Sequence, residues 1–193
     1  MSDFPRSVRR GQSFAGLLTV LLVLTLLTAF AAPRVDLTRF RSDAMARQAA
    51  AVFSAASRSA RQKRNDVVVR VDSSGKRLSV VDDRNGNGVR DPGESEAWTD
   101  LDPGADILDP PVRLPMLSAT SAARPFHPTG LAAPVSVGRV VFRRSGGSNA
   151  DFVLYLTSDP GSASAWRAVQ VSSRMGTVLL WRFDGTHWSR GRT

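Results

Sequence analysis

An uncharged apolar run near the N-terminus constrains this chain more than any other feature. Residues 11–33, between Arg10 and Arg34, contain no charged side chain. About 20 apolar residues, each rising about 1.5 Å, carry a helix across the ~30 Å hydrocarbon core of a bilayer. The run therefore predicts a membrane-spanning helix segment over residues 12–33.

The flanking charges predict the orientation of this helix. Arg6, Arg9 and Arg10 precede the run, and an excess of positive charge keeps that side in the cytoplasm. We therefore expect a single pass through the inner (cytoplasmic) membrane, with the rest of the chain outside the cytoplasm. A secretory signal peptide, cut within residues 29–32, and an uncleaved signal anchor are the alternatives, although a signal h-region usually has only about 7–15 residues.

The residues after the membrane segment predict one domain of class α+β. Residues 35–64 contain neither Pro nor Gly, so an amphipathic helix over residues 34–64 should extend the membrane helix, with a bend at Pro33. Its predicted buried stripe comprises Leu37, Phe40, Ala44, Ala49, Val52, Phe53, Ala56 and Ala60. The absence of Cys excludes disulfides and thiolate metal sites.

Residues 65–193 predict a β-rich globular part. Asp66–Val71 and Arg77–Val81 flank the turn sequence Asp-Ser-Ser-Gly and should form a hairpin. The Pro-rich stretch 103–134 should be mostly irregular. Further strands are expected over residues 135–143, 151–157, 166–172 and 177–183, which predicts antiparallel sheets with the long helix packed across them.

An Asp- and Asn-rich loop after the hairpin has the spacing of a calcium loop. Oxygen ligands fall at loop positions one, three, five, seven, nine and twelve, with Gly88 at the sharp turn. The predicted ligands are Asp83, Asn85, Asn87, the carbonyl of Val89, Asp91 and Glu94. Ca²⁺ bound here would be structural, and the alternative is an ion-free acidic turn whose Asn-Gly pairs supply positive φ.

The order of several weak motifs resembles the GspH/FimT family of minor pseudopilins and minor pilins. Arg9-Arg-Gly-Gln-Ser-Phe14 resembles a prepilin leader junction, and Pro33 is placed where pilins carry a helix-kinking Pro. A basic helix end at residues 57–65, the acidic loop, Phe126-His-Pro-Thr-Gly130 and a last hairpin at Met175-Gly176 follow in the family's order. Gln12 and Gly16 depart from the pattern, which usually has Phe or Met and then Glu.

This resemblance implies a non-enzymatic structural subunit at the tip or base of a type II secretion pseudopilus or a type IV pilus. A prepilin peptidase would remove leader residues 1–11 by cutting after Gly11, leaving a mature chain that begins with Gln12, which is methylated in such proteins. The implied partners are other pilins or pseudopilins, which the N-terminal helix contacts. A signal-anchored, calcium-stabilised extracytoplasmic domain remains an alternative.

The net charge of +9 raises the alternative of DNA binding. Some members of the resembled family bind DNA through a C-terminal Gly-Arg-x-Arg element, and Ser189-Arg-Gly-Arg192 has those residues in a different order. The candidate DNA-binding residues are Arg143, Arg144, Arg190 and Arg192. His127 and His187 lack zinc-ligand spacing, no nucleophile elbow or phosphate loop occurs, and we expect no catalytic residues.

Overall fold

The computed structural model describes residues 12–31, 37–108, 124–125 and 137–191. The chain divides into two compact units, residues 1–37 and residues 38–193. Pro33 and most of the Pro-rich stretch lie outside the described residues, so the predicted bend at Pro33 stays a prediction.

The first unit contains helix α1, Gln12–Ala31. Its large apolar side chains are exposed along the described length, from Phe14 at 69% to Leu27 at 61%. Across the described parts of the chain, no helix combines the length and the hydropathy that a membrane crossing requires. The predicted span over residues 12–33 includes residues outside the described ones and stays a prediction.

Helix α2, Leu37–Lys63, belongs to the second unit except for its first residue. Its buried face comprises Ser42, Met45, Ala46, Ala49, Ala50, Phe53, Ala56, Ser57 and Ala60. The predicted stripe was therefore wrong in the first two turns, where Leu37, Phe40 and Ala44 are exposed. Successive residues of an α-helix are rotated by about 100° about the helix axis, so Phe40 lies about 200° around the helix from the buried Ser42.

The first sheet has the strand order β3-β2-β1-β5 and is antiparallel throughout. Its strands are β1 (Asp66–Asp72), β2 (Arg77–Asp83), β3 (Glu96–Asp100) and β5 (Val137–Phe142). The predicted hairpin is present, with Val69 opposite Val80. Its turn is held by the Asp72 carboxylate, which accepts the backbone N–H of Gly75 at 2.8 Å.

The second sheet has the order β4-β6-β7-β8-β9 and is antiparallel except for the parallel pair of β4 and β6. Its strands are β4 (Arg124–Pro125), β6 (Phe152–Leu156), β7 (Arg167–Val171), β8 (Val178–Phe183) and β9 (Trp188–Arg190). All five residues of β7 are buried, because this strand is central and both of its faces are covered.

Helix α2 packs on both sheets through one apolar core. The core joins the buried face of α2 to Val67, Val69, Leu78 and Phe142 of the first sheet and to Leu154, Val169 and Leu180 of the second. At its centre, the Phe53 and Phe142 rings lie 6.4 Å apart. A second cluster around Trp166 and Phe183 includes Tyr155 and Val153 of β6. The predicted α+β class, a helix packed on antiparallel sheets, is confirmed.

Candidate functional site

The loop between β2 and β3 is organised by one buried carboxylate, that of Asp83. Asp83 Oδ1 accepts the backbone N–H of Gly86 at 2.7 Å and of Asn87 at 3.2 Å, and Oδ2 accepts that of Gly88 at 2.6 Å. The two glycines have a φ of +74°, which aims successive N–H groups inward and suits residues without a Cβ. The predicted Asn-Gly turns are therefore present.

The far side of this loop is closed by two further carboxylates. Glu94 accepts the backbone N–H of Arg84 at 2.8 Å and of Asp91 at 3.0 Å. Asp91 Oδ2 accepts the side-chain amides of Asn85 at 2.5 Å and of Asn87 at 2.6 Å. Internal hydrogen bonds therefore hold the loop together.

The predicted calcium ligands lie in one loop, but their oxygens point towards hydrogen-bond donors. Asp83 and Glu94 accept backbone N–H groups, and the Asn87 amide oxygen accepts the N–H of Val89 at 2.7 Å. Within the described ranges, no group of three or more His, Cys, Asp or Glu residues is placed to hold a metal ion. Because Ca²⁺ takes six to eight oxygens, binding would require these side chains to turn. The calcium site stays a prediction.

Contacts to α2 and β5 anchor the acidic loop. Lys63 Nζ lies 2.6 Å from Asp82 Oδ2, and Arg139 Nη1 donates to the Gly88 carbonyl at 2.9 Å. Burial alone would raise the pKa of the Asp82 carboxyl, but hydrogen bonds from Lys63 and Ser95 outweigh it and hold that pKa below 3.8. The loop is thus tied to α2 beside its first residue and to β5 near its middle.

The four predicted DNA-binding arginines are not all brought together. Arg143 and Arg144 follow β5, at one edge of the first sheet, and Arg143 lies 3.8 Å from the Asp66 carboxylate. Arg190 belongs to β9, at one edge of the second sheet. Arg192 lies outside the described residues. Arg143 and Arg144 therefore follow an edge strand of the first sheet, whereas Arg190 belongs to an edge strand of the second.

The histidine that the structure describes belongs to a surface turn. His187 Nε2 lies 3.1 Å from Asp184 Oδ2, and its Nδ1 lies 2.9 Å from the Thr186 hydroxyl. The backbone N–H groups of His187 and Thr186, with the Thr186 hydroxyl, lower the pKa of Asp184 to about 2. His127 lies outside the described residues.

A basic feature that the sequence analysis missed follows one line along α2. Arg47, Ser54, Arg58 and Arg61 recur at steps of seven, four and three residues, which places them on one helix face. Two clefts of about 330 and 260 Å³ follow this line between α2 and the β7–β8 part of the second sheet. The sequence could have indicated this shared face, because the spacing of the arginines follows the period of an α-helix.

The predicted processing site cannot be placed. Gly11 lies outside the described residues, and Gln12 is the first residue of α1. Gly16 lies within α1, where an added Cβ would meet no atom within 4 Å. Cleavage after Gly11 therefore stays a prediction.

Comparisons with known proteins find a likeness among solved structures. No protein-family model matches the sequence. No curated protein matches it either. Among solved structures, the minor pseudopilin EpsH from the type 2 secretion system of Vibrio cholerae is similar, with a TM-score of 0.47 and 16% sequence identity. The match covers 72% of this chain and 95% of that chain.

Proposed function

We propose that this chain is a minor pilin-like structural subunit, inserted in the inner membrane and assembled at the tip or base of a secretion pseudopilus or a type IV pilus. A prepilin peptidase would cut the chain after Gly11, on the cytoplasmic side of α1. The second unit would lie outside the cytoplasm. Its partners would be other pilins or pseudopilins.

The observation that carries this proposal is the exposure of the apolar α1. Its described large side chains, from Phe14 to Leu27, are between 49% and 69% exposed, and no charged residue interrupts them. An apolar surface of this length is unstable in water and has to be covered by lipid or by other helices. In a pilin-like subunit, lipid would cover these residues in the membrane, and the helices of neighbouring subunits would cover the same residues after assembly.

The first turns of α2 support assembly through helices. Phe40 is 64% exposed and Leu37 is 62% exposed, although both side chains are large and apolar. They lie away from the buried face of α2, so the core of the second unit does not explain them. Helices of neighbouring subunits would cover them in a filament.

The mass of the mature chain tests this proposal. The protein, expressed with a prepilin peptidase, extracted from membranes and analysed by intact mass spectrometry, should begin at Gln12 and carry an N-terminal methyl group. A Gly11→Val control should keep residues 1–11, because the peptidase is expected to require the small residue before the cut. A start within residues 29–33, with the protein in the soluble fraction, would replace this proposal with a secreted domain.

A further inference from the structure

The strongest unassigned feature is the free edge of the first sheet, which is formed by strand β3. β3 pairs with β2 on one side, and no described strand lies on its other side. The Asp82 N–H donates to the Ser95 carbonyl at 3.1 Å, and the Leu101 N–H donates to the Lys76 carbonyl at 2.9 Å. Such bonded positions recur at every second residue of an antiparallel pair, so residues 95, 97, 99 and 101 bond towards β2. The backbone groups of residues 96, 98 and 100 therefore point away from the sheet.

These outward groups are open to a further strand. The Asp100 carbonyl accepts the side-chain amide of Gln48 at 2.8 Å, so Gln48 closes that end of the edge. Among the described residues, no partner is present for the outward N–H and C=O groups of Glu96 and Trp98. An unpaired edge of this kind can accept an extended peptide as an additional strand.

A cleft of about 400 Å³ opens beside this edge, between α2 and the first sheet. Val52 and Ala55 of α2 line one wall, and Val80 of β2 lines the other with Ala97 and Thr99 of β3. A strand added beside β3 would direct every second side chain towards α2, because side chains alternate between the two faces of a sheet. The cleft therefore has room for apolar side chains of an added strand.

The opposite face of the β3 edge carries an exposed aromatic ring between two carboxylates. Trp98 is 46% exposed, and the Arg77 guanidinium carbon lies 4.2 Å from the centre of its ring. Glu96 and Asp100 flank Trp98 on this face. Arg90 Nε lies 3.2 Å from Glu96 Oε2 and compensates its charge. In the part of the chain that the structure describes, Asp100 forms no ion pair.

These charges oppose pairing between the β3 edges of two copies of the chain. If two edges paired antiparallel about Trp98, Glu96 of each copy would lie opposite Asp100 of the other. Like charges directly opposite each other destabilise a strand pair, whereas opposite charges stabilise it. The surrounding residues 82–109 hold nine acidic and two basic side chains, so a shifted register would still bring acidic segments together. The complementary occupant is therefore a basic strand.

We propose that β3 binds an extended basic segment of another protein as an additional antiparallel strand. Arg or Lys side chains of that segment would lie beside Glu96 and Asp100, and the alternate apolar side chains would enter the cleft beside Ala97. Main-chain hydrogen bonds to the edge supply affinity, and the alternation of basic and apolar residues supplies specificity. This binding function goes beyond the structural role proposed above, since it uses the β3 edge and not α1.

The test measures binding of a labelled peptide of alternating Arg and Val, about seven residues long, to the full-length protein in nonionic detergent by fluorescence anisotropy. In the proposed pairing, the Arg residues lie opposite Glu96, Trp98 and Asp100, and their N–H groups face β3. N-methylation of the Arg residues should therefore lower affinity by about ten-fold or more. N-methylation of the Val residues, whose N–H groups face solvent, is the matched control and should lower it by no more than about three-fold.

A variant of the edge strand tests the same contact from the protein side. Trp98→Pro removes the outward N–H at the centre of the edge and should lower affinity by about ten-fold or more. The β2–β3 ladder does not use this N–H, so the thermal midpoint should stay close to that of the parent. Trp98→Val keeps the N–H and should keep most of the affinity. Bound peptide should also slow hydrogen exchange at the Glu96 and Trp98 amides.

Several results would overturn the proposal. They are no binding of the Arg and Val peptide, equal binding of a Glu and Val peptide, equal effects of the two methylations, and unchanged exchange at Glu96 and Trp98. Self-association of the protein that Trp98→Pro abolishes would assign the edge to a second copy instead. If Trp98→Pro unfolds, the methylated peptides decide, because they leave the protein unchanged. Loss of peptide binding with a mature chain that begins at Gln12 would leave the pilin-like role standing.

Discussion

A single side chain, the Asp83 carboxylate, determines the shape of the acidic loop. It is fully buried and accepts the backbone N–H groups of Gly86, Asn87 and Gly88, of which that of Asn87 also donates to the Asn85 amide oxygen at 3.1 Å. An amide in its place keeps the size but offers one oxygen and one NH₂ group. At least one buried N–H would then face a donor, at a cost of about 1–3 kcal/mol.

Asp83→Asn should therefore lower the thermal midpoint of the full-length protein in detergent. Asp100→Asn is the matched control, because it removes the same charge from a residue that is exposed on the edge strand β3. The free energy of unfolding of this control should change by no more than about ±0.5 kcal/mol, as for other surface substitutions. If the two variants lose the same stability, charge alone matters and the acceptor role of Asp83 is wrong.

Thermal unfolding with and without Ca²⁺ separates an ion-bound loop from an ion-free one. Bound Ca²⁺ would stabilise the fold by linkage, by about 2.7 kcal/mol at 100 times its dissociation constant. The calcium hypothesis predicts a midpoint that rises with millimolar Ca²⁺, and Asp83→Ala or Glu94→Gln should abolish the rise. A midpoint indifferent to Ca²⁺ in the parent protein leaves the hydrogen-bonded acidic turn.

Among the elements, α2 has one face that is buried in the core and another that is exposed. Phe53 is fully buried against the Phe142 ring, whereas Phe40 is 64% exposed. Phe53→Ala should destabilise the second unit by about 3–5 kcal/mol, because it removes apolar burial and leaves a cavity. Phe40→Ala should leave the thermal midpoint nearly unchanged and instead reduce cross-linking to neighbouring subunits in membranes. Equal destabilisation by both substitutions would contradict this division.

The helices and strands also show which features a local sequence pattern can predict. The β1–β2 hairpin was predictable because alternating Val residues and a turn sequence specify it locally. β3 was missed because its acidic, exposed sequence has no apolar alternation, and its pairing with β2 makes it a strand. In the first two turns of α2, the apolar residues Leu37 and Phe40 placed the predicted stripe on an exposed face, since the helix buries mostly Ala and Ser.

The candidate sites were predictable only where the relevant residues are close in sequence. The acidic loop is continuous, so its residues and its glycine turns could be identified, although not the direction of each oxygen. The cleft beside Arg58 and Arg61 depends on Gly146 and Gly176, which lie far from Arg61 in sequence. No local pattern predicts that two turns will meet at the end of a helix.

At the scale of the whole molecule, Gly16 bears on where the proposed pilin-like subunit would sit in a filament. In the family that the sequence resembles, a Glu at this place is thought to neutralise the N-terminal amine of the neighbouring subunit, a demand that makes a charge tolerable inside a bilayer. Without that carboxylate, the chain should start or cap a filament rather than extend it. Its place in α1 has room for a side chain, since a Cβ would meet no atom within 4 Å.

Labelled protein should therefore occur at low copy number and near filament ends, as seen by immunogold electron microscopy. Gly16→Glu restores the carboxylate, and Gly16→Gln is the matched control with the same length and no charge. We expect Gly16→Glu to increase incorporation along the shaft and Gly16→Gln to leave the label at the ends, because only the charged side chain can pair with an N-terminal amine. Uniform labelling of shafts by the parent protein would contradict a terminal position and assign the chain to the body of the filament.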